Sequence, residues 1–99
     1  DIVAALRPDG QAECAERCRK SVVKLFGEEA VSDYEGTLAG EDFSEYLDIV
    51  PGVFVFLGCR NPDVDAVYPQ HSGYYTVDES VLKNGAALAA QYAIDFLAE

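Results

Sequence analysis

Basic residues are scarce in this chain: seven lysines and arginines face eighteen aspartates and glutamates, a net charge of -11 over 99 residues. Such an excess repels phosphate backbones and gives no anchorage to anionic lipid, which argues against nucleic acid and membrane surfaces as partners. No run of about 18 apolar residues occurs, and no basic segment followed by an apolar one opens the chain, so neither a membrane span nor an export signal is expected. The three cysteines, at 14, 18 and 59, are an odd number that fits a reducing compartment better than a disulfide framework. A soluble cytoplasmic protein, or a piece cut from one, is the expectation. Glycines 36, 40, 52, 58, 73 and 85 form no phosphate-cradling pattern, which disfavours nucleotide binding. There is no internal repeat and no low-complexity segment, and at this length one domain is expected.

What is present begins with Asp1 to Leu6, too short and alanine-rich to assign, followed by turn chemistry in Arg7-Pro8-Asp9-Gly10. Residues 1–10 are therefore read as a linker or the end of a preceding strand. From Gln11 to Phe26, Cys14, Cys18, Val22 and Leu25 recur at three- and four-residue steps, the pattern of an amphipathic helix with one buried face. Gly27 stands where a left-handed C-terminal cap belongs. Ala30 to Tyr34 could form a short strand. Phe43, Tyr46, Leu47 and Val50 follow Glu41-Asp42 at helical spacing, which predicts a short helix ending before Pro51. Val53 to Leu57 is β-branched and aromatic without polar alternation, as in a strand covered on both faces of an α/β sheet. Arg60 to Gln70 reads as loop and Tyr74 to Val77 as a further short strand. Asp78 is a good N-cap for a helix from about Glu79 to Ala98, whose apolar residues leave little polar surface and call for more partners than this chain offers.

Read residue by residue, chemistry is thin. His71 is the only histidine, and one imidazole among scattered carboxylates does not define a zinc site, which needs three or four protein ligands. Cys14 and Cys18 share a helix face and read as small core residues, a metal role needing further ligands from elsewhere. Cys59 with His71 would lack an orienting third group and an oxyanion hole. Glu41-Asp42 could be an acid/base pair or carboxylates that complement a helix dipole.

The order of segments is more specific. Gly40-Glu41-Asp42-Phe43-Ser44-Glu45-Tyr46-Leu47, then Val50-Pro51-Gly52 with Val53 to Gly58, then Tyr68-Pro69-Gln70-His71-Ser72, then Val77-Asp78-Glu79 with Leu82 and Gly85-Ala86-Ala87, resembles the C-terminal end of the dinuclear-zinc amidohydrolases. This is the hippurate, N-acyl-amino-acid and indole-acetyl-amino-acid hydrolase group of the aminoacylase and carboxypeptidase superfamily. The resemblance covers the chain from about Gln11 onward.

It implies an α/β fold, a partial α/β sandwich in which residues 11–99 are the C-terminal portion of a zinc-peptidase-like catalytic domain. It implies that the parent hydrolyses the amide bond of N-acyl amino acids or small peptides with two divalent metal ions, zinc or manganese. His71 would be one metal ligand, and Gly40 and Glu41 would lie on the substrate side; none of the chain's residues is taken as the general base. The partner would be the N-terminal part of the same domain, and self-association as a homo-oligomer is compatible with this. Leu38-Ala39-Gly40 stands where relatives carry Met-Gly-Ser before Glu-Asp-Phe, and Gly73 stands where they carry proline, which loosens the loop around His71. With one ligand, the isolated chain is expected to be inactive. The rival reading is a free-standing acidic interaction module in which His71 is incidental.

Overall fold

The computed structural model describes residues 2–8, 10–34, 43–69 and 71–99, apart from the side chain of Ser44. Strand β1, Ala4–Leu6, is followed by helix α1, Ala12–Phe26, and strand β2, Val31–Asp33. Helix α2, Phe43–Leu47, strand β3, Val55–Leu57, and helix α3, Leu82–Leu97, complete the described elements, with 3-10 turns at Glu28–Ala30, Pro62–Val64 and Glu79–Val81. The sheet order is β2-β1-β3. β1 runs parallel to β2 with Ala4 opposite Val31, and antiparallel to β3 with Ala4 opposite Leu57. The first ten residues therefore hold the central strand of the sheet. Two strands parallel across an intervening helix form a β-α-β unit, which places the chain in the mixed α/β class that the sequence predicts.

α1 forms because its apolar positions repeat with the helical period, while Glu13 in the first turn and Lys24 in the last complement the helix dipole. Cys14, Cys18 and Val22 are buried as expected, but so are Arg17 and Ser21, whereas Leu25 is exposed. Gly27 ends the helix with φ 96° and ψ 165° rather than in the left-handed helical cap predicted, a backbone region open essentially to glycine alone. Its amide still donates to the Val23 carbonyl at 2.9 Å.

The core joins Ala4 and Leu6 of β1 to Cys18 and Val22 of α1, Ala30, and Leu88 of α3, with Val53 and Val55 packed against it. Both long helices thus lie on one face of the sheet. The other face carries aromatic rings: Phe56 packs on Tyr34 with centroids 4.3 Å apart, and Phe54 on Phe43 at 5.1 Å. The Arg7 guanidinium stands over the Phe54 ring at 4.5 Å. This corrects the reading of Val53 to Leu57 as a strand covered fully on both faces. The observed strand is Val55–Leu57, it has only β1 as a described neighbour, and all three of its residues are half-buried. Its side chains alternate between the helical layer and the ring layer, as the period of a strand requires.

α2 ends as predicted before Pro51, the amides of Ile49 and Val50 both donating to the Tyr46 carbonyl at 3.0 Å. Tyr74 to Val77 is not a strand. Its backbone is drawn into local turns instead, with the Tyr74 amide donating to Ser72 Oγ and the Tyr75 amide to the Ser72 carbonyl, both at 3.1 Å.

Asp78 does cap the last helical segment, its carboxylate accepting from the Ser80 amide at 3.0 Å; the first turn is 3-10 before α3 begins. Gly85 lets α3 approach β3, since a Cβ there would stand 3.1 Å from Leu57 Cδ2. Only Leu88 of α3 is buried, while Leu82, Ile94, Phe96 and Leu97 are exposed, so this helix is short of partners, as its composition suggests. Among the described residues no helix is long and apolar enough to cross a membrane.

Candidate functional site

His71 sits near the tip of the loop that leaves β3 and returns to α3. At the base of the loop, the Asp78 amide donates to the Cys59 carbonyl at 3.1 Å, and Asn61 Nδ2 donates to the Asp78 carboxylate at 3.0 Å. The Ser80 hydroxyl, then Asn61, then the Ser80 amide hold the Asp78 carboxyl below the usual aspartate range, so it is anionic at neutral pH. Inside the loop, Asn61 and Ala66 form an isolated antiparallel bridge, and Asn61 Oδ1 accepts from the Asp63 amide at 2.9 Å. The chain is thus turned back on itself between Asn61 and Ala66 before it reaches His71.

His71 is exposed, and its backbone is left-handed, with φ 73°. That region is uncommon for a residue with a Cβ, although histidine enters it more readily than most. The Ser72 amide spans the position by donating to the Pro69 carbonyl at 3.2 Å. Tyr68 and Tyr74, on either side, place their rings in contact with centroids 5.5 Å apart. Among the described residues no group of three or more histidine, cysteine, aspartate or glutamate side chains could hold a metal ion. An exposed imidazole on a braced loop fits a single metal donor, and any complete metal site would need ligands from outside the described residues. Cys59, at the loop base, has its sulfur 4.0 Å from the Tyr75 hydroxyl. Gly40 and Glu41, the two residues assigned to the substrate side, lie outside the described residues.

A second feature escapes a reading based on apolar spacing. Arg17 is only 8% exposed, and its guanidinium binds both carboxylate oxygens of Glu99, the contact from Nη2 measuring 3.2 Å. Nη1 donates to the Tyr92 hydroxyl at 3.2 Å, and the group stands over the Phe96 ring at 5.0 Å. These contacts tie α1 to the end of α3. The clue in the sequence is position: residue 17 falls between Cys14, Cys18 and Ser21 on the same helical stripe. Burial pushes the Cys18 thiol up, so it is a neutral core group. Beside the sheet, an apolar groove of about 510 Å³ is lined by Tyr46, Leu47, Val53, Leu57, Leu88 and Tyr92 among others.

Thermostable carboxypeptidase 2 of Saccharolobus solfataricus is 47% identical over 66 residues, 67% of this chain and 17% of its own length. IAA-amino acid hydrolase ILR1-like 6 of Arabidopsis thaliana is 33% identical over 79 residues, 80% of this chain and 17% of its own length. The putative amidohydrolase YhaA of Bacillus subtilis is 33% identical over 70 residues, 71% of this chain and 18% of its own length. The chain thus spans about a sixth of the length of these relatives. No solved structure matches it. The superfamily resemblance carried by the ordered motifs is borne out: the description of Peptidase family M20/M25/M40 matches residues 3–95, and the chain belongs to that family.

Proposed function

We propose that the chain is the C-terminal portion of the catalytic domain of a metal-dependent hydrolase that cleaves the amide bond of N-acyl amino acids or small peptides. His71 would supply one ligand to one of two divalent metal ions, zinc or manganese. The observation that carries this reading is the placement of His71: an exposed imidazole, with no other described side chain hydrogen-bonded to it, on a loop braced at its base by Asn61 and Asp78. The names of the relatives, carboxypeptidase and amino acid hydrolase, supply the substrate class. A metal bound there would supply Lewis-acid activation of water and of the amide carbonyl.

The role of this chain's own residues is to hold the imidazole in place, through the Asp78 cap, the Asn61 clasp and the turn from Pro69 to Ser72. Gly40 and Glu41 would border the substrate. The remaining ligands and the base would come from the N-terminal part of the same domain, whose packing would cover the apolar groove and the exposed side of α3. The three free cysteines suit a cytoplasmic location.

The test is turnover by the protein expressed from the complete reading frame that contains these residues, assayed against N-acyl amino acids and dipeptides. Hydrolysis that a chelator and His71→Ala both abolish is expected there, and none from the 99-residue chain alone. Chelator-sensitive turnover by the isolated chain would overturn the assignment, as would a reading frame that starts just before Asp1.

A further inference from the structure

We infer that Tyr74, through its ring contact with Tyr68, is a positioning residue for His71. The inference rests on the metal-ligand reading above and deepens it. Tyr68 and Tyr74 flank His71 symmetrically in the sequence, and their rings meet across it, with centroids 5.5 Å apart and planes at 38°. Neither ring belongs to the core: Tyr74 is 78% exposed and Tyr68 37%. A contact between two such rings brings together the two arms of the loop and contributes little to the fold as a whole.

His71 has need of that closure. Its φ of 73° is disfavoured for any residue with a Cβ, and Gly73, two positions on, gives the chain freedom to relax. The clasp from Asn61 to Asp78 fixes the ends of the loop, but its nearer residue is Asp78, seven positions beyond His71. At the tip the bracing comes from the hydrogen bonds around Ser72, from the Ser72 amide to the Pro69 carbonyl and from the Tyr74 amide to Ser72 Oγ, and from the ring pair. A ligand fixed before the ion arrives loses less conformational freedom on binding, and residues that orient a metal ligand commonly change affinity when replaced. Because the contact is made by the rings, phenylalanine should serve at position 74 and alanine should not.

Two measurements test this. In the isotope-labelled 99-residue chain, the {1H}-15N NOE of the His71 amide is expected to fall in Tyr74→Ala and to be kept in Tyr74→Phe, with the α1 amide shifts unchanged in both. In the protein from the complete reading frame, zinc affinity measured by competition with a chromophoric chelator is expected to weaken about tenfold in Tyr74→Ala and less than about twofold in Tyr74→Phe. If His71→Ala lowers zinc affinity while Tyr74→Ala changes neither the NOE nor the affinity, the positioning role is overturned and the ligand reading stands. If His71→Ala leaves zinc affinity unchanged, the ligand reading itself fails, and the inference fails with it.

Discussion

Asn61 and Asp78 join the two ends of the His71 loop through a 3.0 Å hydrogen bond from the amide Nδ2 to the carboxylate. Each has a second task nearby: Asn61 Oδ1 accepts from the Asp63 amide, and Asp78 caps the turn that leads into α3. The loop is thereby attached to the helix that packs on the core. Asn61→Ala should loosen the loop and leave the sheet intact. The expected loss of stability is about 1 kcal/mol, the net worth of a typical hydrogen bond, measured by urea unfolding. Amide exchange should speed up between residues 62 and 78 and stay unchanged in α1.

The core prediction contrasts two leucines. Leu6 is 2% exposed at the centre of the sheet, whereas Leu97 is 79% exposed at the end of α3. Leu6→Ala should cost about 2–5 kcal/mol, a large part of the stability of a domain this size. Leu97→Ala should change the stability of the isolated chain by less than about 0.5 kcal/mol. Equal effects at the two positions would mean that the first strand is not central.

Acid should weaken the join between α1 and α3. Lys24 at 2.8 Å, then Ser21 at 2.6 Å and Gln91 at 2.9 Å, hold the Asp95 carboxyl down at about 2. Arg17 likewise holds Glu99 below the usual carboxylate range. Both groups are depressed in the folded chain, so the unfolded chain takes up protons first as pH falls. Their contribution is complete above the ordinary carboxylate range and is lost between about pH 4 and pH 2. The melting temperature should therefore fall across that window, and Asp95→Asn should lower it at neutral pH while flattening the fall. The Glu99 carboxylate is exposed enough for salt to reduce its part of the effect, whereas Asp95, with 16% of its side chain exposed, should be screened less.

Parts of this architecture are local and legible in the sequence. The spacing of Cys14, Cys18 and Val22 gives α1, Asp78 gives the cap of the last helical segment, and Pro51 gives the end of the turn after α2. β1 is different, because Ala-Ala-Leu has no β-branched residue and becomes a strand only by pairing on both sides with residues far along the chain. Val53 to Leu57 reads as buried on both sides because valine and phenylalanine are both apolar. Their alternation between helices and rings becomes visible only once the sheet is formed. Arg17 shows the same limit, since its burial depends on Glu99 and Tyr92 at the far end of the chain. For the site, the residues themselves show a lone histidine; the order of motifs suggests a role for it, and the structure adds the braced loop.

The central claim is that His71 holds a metal. Its most direct test is metal content, measured by mass spectrometry on dialysed protein from the complete reading frame, with and without His71→Ala. About two divalent ions per chain are expected in the unsubstituted protein, as in a two-metal hydrolytic site. About one or fewer is expected after the substitution, with the fold preserved by circular dichroism. Two ions retained by His71→Ala would contradict the claim.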